Sequence, residues 1–444
     1  LMTYEEAVEF LNAPKYSETR PGLGPVTELM ERLGNPQDQL EYVHIAGTNG
    51  KGSTAAYMDS VLRAAGYRTG LYTSPFLEQF NERIRVNGES IGNEELARIT
   101  TRVRDAVEQM EKDGSTAPTI FEMVTAVAFL YFLERQCDIV VLEVGMGGRL
   151  DATNIIRHPE VSIITKLGMD HMNFLGNTLG EIAWEKAGIM KQGTPCVSWP
   201  QEEEAAAVLV REGRKKSVPL TFADLENVRI LSSDLHGQRF RFRPSPENDP
   251  AEKEIHIGML GEYQVGNAVL ALTALETMKR MGWKIPEPAL ERGMEAARWP
   301  GRFERLMENP LMIIDGAHNP DGVGSLVRGL QKLFPEKKLL FVAGVLADKD
   351  YDTMFRLVRP LAEQFFCVTP ESHRALPGAD LAARLREGGS PAEAYASVPE
   401  AVDAAVETAR RRTSAGEEPV IVAFGSLYYI GEVRTYVRKQ YGVR

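Results

Sequence analysis

The apolar run Tyr42-Val43-His44-Ile45-Ala46 breaks into Gly47-Thr48-Asn49-Gly50-Lys51-Gly52-Ser53-Thr54, a glycine-rich stretch carrying one lysine and several hydroxyls. Few folds accommodate such a junction. Tyr42 to Ala46 predicts a short buried strand and the apolar spacing from Ala55 to Ala65 predicts a helix, so Gly47 to Ser53 connects strand to helix. Backbone N–H groups at that helix start face an anion, and glycines let the backbone approach it closely. Lys51 adds a point charge, and Ser53 or Thr54 offers a hydroxyl to a Mg²⁺ ion. The usual P-loop spacing is not met: its first glycine would fall at Ile45, and Gly52 intervenes between Lys51 and Ser53. A phosphate cradle and a plain glycine turn both remain open at this point.

The rest of the chain repeats the strand-helix alternation. Apolar runs at Val43–Ala46, Ile139–Val144, Val161–Thr165 and Pro195–Ser198 are separated by helical spacing, as in Phe121–Glu134 and Thr178–Lys186. This predicts a mostly parallel, doubly wound α/β sheet. Between Leu220 and Ile257 the pattern changes, and Arg239-Phe240-Arg241-Phe242-Arg243 alternates at period two, predicting a small antiparallel subdomain. A helix follows from Tyr263 to Met281, and Arg298-Trp299-Pro300-Gly301-Arg302 breaks it off. Beyond that break, strands at Leu311–Asp315, Leu339–Val345, Phe365–Thr369 and Val420–Phe424 predict a second, Rossmann-like α/β domain. The expected domains are 1–297 and 302–444.

With 444 residues the chain is too long for one ordinary core. A net charge of −11 and the absence of a long basic run exclude nucleic acid over a broad surface. Cys137, Cys196 and Cys367 lie far apart without metal-like spacing, which predicts buried thiols in a reducing compartment. Residues 1–20 lack an apolar signal core and no apolar stretch approaches a membrane span. The expected location is the cytoplasm, without a membrane partner.

Three further stretches carry chemistry. Glu143 nearly ends an apolar strand and opens the turn Gly145-Met146-Gly147-Gly148-Arg149-Leu150-Asp151-Ala152-Thr153-Asn154. A carboxylate there is costly unless bound to a cation, to backbone donors or to Arg149. Asp170 and His171 follow the strand Val161–Thr165, again at the end of the sheet where open α/β folds collect ligands. In Asp315-Gly316-Ala317-His318-Asn319-Pro320 the first strand of the second domain meets a turn and a helix, repeating the geometry of the first loop. It fits contact with a nucleotide or a small anionic substrate, and equally a capped turn. Lys186, by composition alone, is an ordinary lysine at a helix C-terminus.

Together, His-Ile-Ala-Gly-Thr-Asn-Gly-Lys-Gly-Ser, Gly-Met-Asp-His with Leu-Gly after it, Glu-Lys-Ala-Gly-Ile and Asp-Gly-Ala-His-Asn-Pro resemble the folylpolyglutamate synthase/dihydrofolate synthase family of the Mur ligase superfamily, bacterial bifunctional type. Order and spacing agree from about Tyr42 to Val433. The resemblance implies a P-loop-type ATPase domain followed by a glutamate-ligase domain. It also implies ATP-dependent ligation of L-glutamate to dihydropteroate or a reduced folate through an acyl phosphate. Thr48, Asn49, Gly50, Lys51, Gly52, Ser53 and Thr54 would hold the ATP phosphates, and Asn267, Arg302 and Asp315 match further ATP-contacting positions. Ser53, Ser74, Glu143 and His171 match metal positions for two Mg²⁺ ions. Lys186 matches a lysine that is carbamylated in this superfamily, which turns a cation into an anionic oxygen ligand. Lys51, Lys186, His318 and Ser426 are the implied catalytic set, the last two lying near the γ-phosphate or the incoming glutamate. Leu23, Gly24, Pro25, Val26, Phe121, Glu122, Met123, Asn154 and Ile155 match the region of the pterin substrate. A monomer is expected, with Ala297–Gly301 as hinge.

Phe76 follows Ser74-Pro75 where the family commonly has histidine, and Lys166 stands where a small or amide residue is frequent. Both bear on the preferred folate form and leave ATP use untouched. A rival is another Mur-type ligase acting on a cell-wall nucleotide precursor. That reading needs an N-terminal domain for the uridine nucleotide, and only about forty residues precede the phosphate loop. A regulatory nucleotide-binding module would not need Glu143, His171, Lys186 and His318 together, and a simple kinase leaves the second domain without a task.

Overall fold

The computed structural model describes residues 1–169, 175–244 and 251–443. Strands β1 (Tyr42–Ala46), β2 (Thr69–Tyr72), β3 (Ile84–Val86), β4 (Glu89–Ser90), β5 (Ile139–Glu143), β6 (Val161–Ile164), β7 (Cys196–Ser198) and β8 (Leu220–Phe222) form one sheet in the order β4-β3-β2-β5-β1-β6-β7-β8. Along the order from β2 to β8 every pairing is parallel, while the β2–β3 and β3–β4 pairings are antiparallel. All residues of β1 and β5 are buried, which explains why they read as unbroken apolar runs: both faces of the sheet are covered. In the β1–β5 register Ile45 lies opposite Glu143, so the phosphate-loop strand and the Glu143 strand end side by side.

The helix Ile120–Glu134 is apolar nearly all round, as a fully buried helix must be, and packs Phe129 edge-on against Tyr42 of β1. The helix after the glycine loop spans Lys51–Ala64 and begins four residues earlier than its apolar spacing predicts. The Thr54 amide bonds the Gly50 carbonyl at 2.9 Å and closes the first turn inside the glycine stretch, where periodicity carries no signal. Lys51 and Ser53 are thereby placed on a helix. Leu220–Phe222 pairs in parallel with β7 and belongs to the large sheet, where the sequence reading placed it in the subdomain. The strands β9 (Arg229–Asp234), β10 (Gly237–Phe242) and β11 (Lys253–Ile257) form a small sheet in the order β11-β10-β9, with Phe240 and Phe242 buried and Arg239 and Arg241 turned outward.

A second sheet orders β12 (Glu304–Glu308), β13 (Leu311–Ile314), β14 (Leu339–Ala343), β15 (Ala362–Cys367), β16 (Ala392–Ala394) and β17 (Val420–Phe424) as β12-β13-β17-β14-β15-β16. It is parallel except for β12. Its core stacks Phe341 on Phe365 at 5.6 Å between ring centroids, with Phe424 edge-on to Phe341.

By contact the chain divides into two compact units. The first comprises Leu1–Arg229, Phe240–Ile257 and Gly266–Ala297, and the second Ile230–Arg239, Gly258–Val265 and the chain from Arg298 onward. Among the described residues no helix is long and apolar enough to cross a membrane. All three cysteines are buried free thiols, and burial pushes each up to about 12.

Candidate active site

The glycine loop is held by its neighbours in the first unit. A Cβ on Gly47 would stand 1.7 Å from Thr165 Oγ1, so only glycine lets β1 and the end of β6 approach this closely. Gly50 has φ +89° and lies under Asn267, whose Oδ1 would be 2.4 Å from an added Cβ. The Thr48 and Asn49 amides both donate to the Lys166 carbonyl at 3.1 Å, and the Thr48 hydroxyl accepts from the Gly168 amide at 3.1 Å. Lys166 therefore serves the loop through its backbone, while its side chain is exposed. Gln201 braces the same turn, donating to the Thr165 carbonyl and accepting from the Leu167 amide. No side chain caps the helix that starts at Lys51, which leaves its N-terminus to an anion.

Two lysines meet at this loop. Lys51 Nζ and Lys186 Nζ each donate to the Gly47 carbonyl at 3.0 Å. Lys186 stands in the last turn of its helix, as composition suggests, but at 4% exposure it is buried, which composition does not indicate. The helix Leu179–Ala187, capped by Thr178 through a capping box with Glu181, carries it inward.

Glu143 ends β5 at 4% exposure and accepts the Ser74 amide at 2.9 Å. Arg149 does not pair with it: its guanidinium donates to Glu185 at 3.0 Å and lies 4.6 Å over the Trp184 ring. Asp170 and His171 fall outside the described residues. The buried Glu143 carboxylate with the Ser53 and Ser74 hydroxyls is a hard-oxygen donor set of the kind that suits Mg²⁺. Lys186 as an ammonium is a hydrogen-bond donor and fits such a set only after carbamylation. Among the described residues no group of three His, Cys, Asp or Glu could hold a metal, and Asp170 and His171 lie outside them.

Beyond Glu143 the chain folds back on Asp151, whose carboxylate accepts the Gly145 amide at 3.1 Å, the Met146 amide at 3.0 Å, and both the amide and the hydroxyl of Thr153 at 3.1 and 2.5 Å. Burial raises the Asp151 carboxyl, and these four donors oppose the rise. Asn154 spends its amide hydrogens on the Arg149 and Gly188 carbonyls at 3.0 and 3.1 Å, tying this loop to the end of the Lys186 helix. Of the other residues matched to the pterin region, Val26 and Met123 are fully buried in the core. Glu122 accepts the Thr119 amide at 2.6 Å as a helix cap. Gly24 and Pro25 open the helix Gly24–Arg32, and Leu23, Phe121 and Ile155 keep part of their surface. Successive helix residues point about 100° apart around the axis, which is why a contiguous motif on a helix cannot supply contacts at every position.

In the second unit Asp315 follows β13 and is fully buried. Its carboxylate accepts the Phe303 amide at 2.7 Å, the Ala317 amide at 2.7 Å and the Tyr263 hydroxyl at 3.2 Å. Burial raises its carboxyl, with the Arg302 charge and these donors opposing. His318 Nδ1 lies 2.8 Å from the Gly316 carbonyl, which puts the proton on Nδ1 and makes Nε2 of the neutral ring an acceptor. Arg302 reaches beside Gly316, and the Ser426 hydroxyl caps the helix Leu427–Tyr441 by accepting the Tyr428 amide at 3.1 Å. The Gly425 amide donates to the Ala317 carbonyl at 3.0 Å, bringing the Asp315 and Ser426 loops together. Sequence reasoning gave no role to His44, Asp151, Thr153 or Gln201. A histidine inside an otherwise apolar strand was the available signal for the first of them.

The two domains correspond to a known class of ligase. Residues 45–275 match the Mur ligase middle domain and residues 301–427 the Mur ligase glutamate ligase domain. The chain is 35% identical over 437 residues to the dihydrofolate synthase/folylpolyglutamate synthase of Bacillus subtilis, covering 97% of this chain and 98% of that relative. Folylpolyglutamate synthase (FPGS) from Thermotoga maritima superposes with a TM-score of 0.85 at 34% identity, covering 98% of this chain and 97% of that one. An FPGS–AMPPCP–folate complex superposes with a TM-score of 0.80 at 34% identity, covering 98% of this chain and all, 100%, of that one. The chain belongs to the folylpolyglutamate synthase/dihydrofolate synthase family of Mur ligases.

Proposed function

We propose that this protein uses ATP to join L-glutamate to the carboxylate of dihydropteroate, of a reduced folate, or of both, releasing ADP and phosphate. The observation that carries the reading is the meeting of Lys51 and Lys186 on the Gly47 carbonyl, inside a loop whose following helix has no cap of its own. A phosphate chain entering that loop supplies the anion the helix N-terminus lacks and draws Lys51 toward the transferring phosphoryl group. The acceptor carboxylate oxygen takes the γ-phosphoryl group, and the glutamate amine then attacks the acyl phosphate through a tetrahedral intermediate. Thr48 to Thr54 bind the triphosphate, with Asn267 packed over Gly50, and Leu23, Phe121 and Ile155 offer apolar surface to the pterin.

Ser53, Ser74, Glu143, His171 and a carbamylated Lys186 would hold two Mg²⁺ ions, which supply charge neutralisation of the phosphoryl group when bound. In the second unit, Arg302, Asp315, His318 and Ser426 serve the nucleotide and the incoming glutamate. The Nε2 acceptor of His318 suits a proton coming from the glutamate ammonium. The relative from Bacillus subtilis is named for both activities and the superposed complex contains AMPPCP and folate, which supports the substrate class.

The test is phosphate release from ATP and Mg²⁺ with L-glutamate, comparing dihydropteroate, tetrahydrofolate and no pterin, with products weighed. Release with dihydropteroate and a product heavier by one glutamyl residue establishes dihydrofolate synthesis, and the same gain on tetrahydrofolate adds polyglutamylation. No stimulation by either pterin removes the folate assignment.

A further inference from the structure

His44 lies on β1, three residues before the glycine loop, fully buried and with no metal or phosphate role implied for it. Its Nε2 is 2.9 Å from Thr153 Oγ1, and Thr153 Oγ1 is 2.5 Å from Asp151 Oδ2. With the Asp151 carboxyl ionised, as its four donors favour, these groups admit one proton arrangement. Asp151 accepts all four of its contacts, so the single Thr153 hydroxyl proton points to the carboxylate. Thr153 Oγ1 must then accept from the histidine, which fixes His44 as the Nε2–H tautomer with a bare Nδ1. Among the described residues the buried Nδ1 has no hydrogen-bond partner, which that tautomer allows at lower cost than an unpaired N–H. Burial, with Lys191 nearby, lowers the imidazole to about 3 and keeps it neutral.

The far end of this chain of bonds is the loop after Glu143. Asp151 Oδ1 holds the Gly145 and Met146 amides, and on its other side Gly145 packs so tightly on the Phe121 ring that an added Cβ would be 2.5 Å from Cζ. We infer that His44 is a positioning residue: through the Thr153 hydroxyl and the Asp151 carboxylate it holds the Gly145–Met146 turn against Phe121, and so sets the direction in which the chain leaves β5 beside Glu143. The phosphate-loop strand and the acceptor-side loop are thereby one rigid piece. The inference rests on the proposed role of Glu143 and Phe121 in the ligase only for its effect on turnover.

Two measurements decide the latch without turnover. Nitrogen-15 spectra of the imidazole in the full chain should show a neutral Nε2–H ring for His44 at pH 7, with a slowly exchanging proton. Hydrogen exchange of the 144–148 amides should accelerate about tenfold in Thr153→Val, the size of one buried hydrogen bond, and return to within about threefold of the parent in Thr153→Ser. Exchange in β6 should not change. In the ligation assay Thr153→Val should lower kcat per folded molecule by about tenfold with the KM for ATP within about threefold, and Thr153→Ser should recover it. An Nδ1–H tautomer, unchanged exchange in Thr153→Val, or equal losses in the valine and serine variants would overturn the inference. If the parent protein ligates no glutamate, the functional reading fails while the spectra and the exchange rates still decide the latch.

Discussion

Two loops in this molecule have the same construction and opposite electrostatics. After β1 the chain runs Gly47 to Lys51 into a helix, and after β13 it runs Asp315 to Pro320 into another. The first helix begins at Lys51, and its N-cap Gly50 has no side chain to bond the helix amides. The second is closed by its own sequence: Asn319 Oδ1 accepts the Gly322 amide at 2.8 Å, Pro320 removes one donor at the first helical position, and the Asp315 carboxylate takes the Phe303 and Ala317 amides. Strand, turn and helix do not by themselves make an anion site. What matters is whether the chain has already satisfied its own donors. The first loop leaves helix amides for an anion, whereas the second has satisfied its own donors, and that difference supports the proposed phosphate role for the first.

This contrast can be broken in order of expected effect. Lys51→Ala should lower ligation by about 10³-fold, as removal of a principal charge on a transferring phosphoryl group does. An activity within tenfold of the parent would show that the first loop works through its amides alone. Next comes the pair Gly47→Ala and Gly316→Ala. At Gly47 the new methyl meets Thr165 at Oγ1, Cβ and the backbone nitrogen, whereas at Gly316 it meets the ends of the Leu427 and Arg302 side chains. Gly47→Ala should weaken ATP binding about tenfold or more in calorimetry and Gly316→Ala by far less, since side-chain ends can move and a strand junction cannot. A larger defect in binding at Gly316 would reverse the assignment.

Asn319→Ala tests the closed loop. It should cost about 1 kcal/mol of stability in denaturant unfolding, the usual value of an N-cap, and an unchanged midpoint would mean that the cap is not closing the helix. A further effect of about the same size as the cap concerns pH. The His44 imidazole is lowered in the fold to about 3 from 6.5, so below pH 6.5 the unfolded chain binds a proton that the folded one refuses. Stability from this group is complete above 6.5 and falls by about 1.4 kcal/mol per pH unit on acidification toward 3. His44→Gln should lose less stability than the parent between pH 7.5 and 5.5, and parallel losses in both proteins would show that His44 titrates normally.

Much of this was legible in the sequence because buried parallel strands announce themselves as apolar runs. β1, β5, β6 and β17 stand within a residue of where their branched residues place them. Periodicity fails inside the glycine stretch, so the start of the helix at Lys51 was invisible, as was the membership of Leu220–Phe222 in the large sheet. The site divides in the same way. Lys51 was readable from the glycine-rich stretch around it, and Glu143 because a carboxylate ending an apolar strand needs a reason. Lys186 was not readable from residue type, because nothing in Glu-Lys-Ala-Gly-Ile says that the helix points its lysine at Gly47. The bond joining His44 to Thr153 connects residues 109 apart in the chain and exists only once β1 and the turn after β5 are side by side.

The most direct test of the account is to follow oxygen. With the acceptor carboxylate labelled with ¹⁸O, ligation through an acyl phosphate must carry one labelled oxygen into inorganic phosphate for every glutamate added. Label in phosphate at that ratio is the predicted result. Unlabelled phosphate alongside glutamylated product, or label appearing in AMP, would contradict γ-phosphoryl transfer to the acceptor and with it the role given to the Lys51 loop.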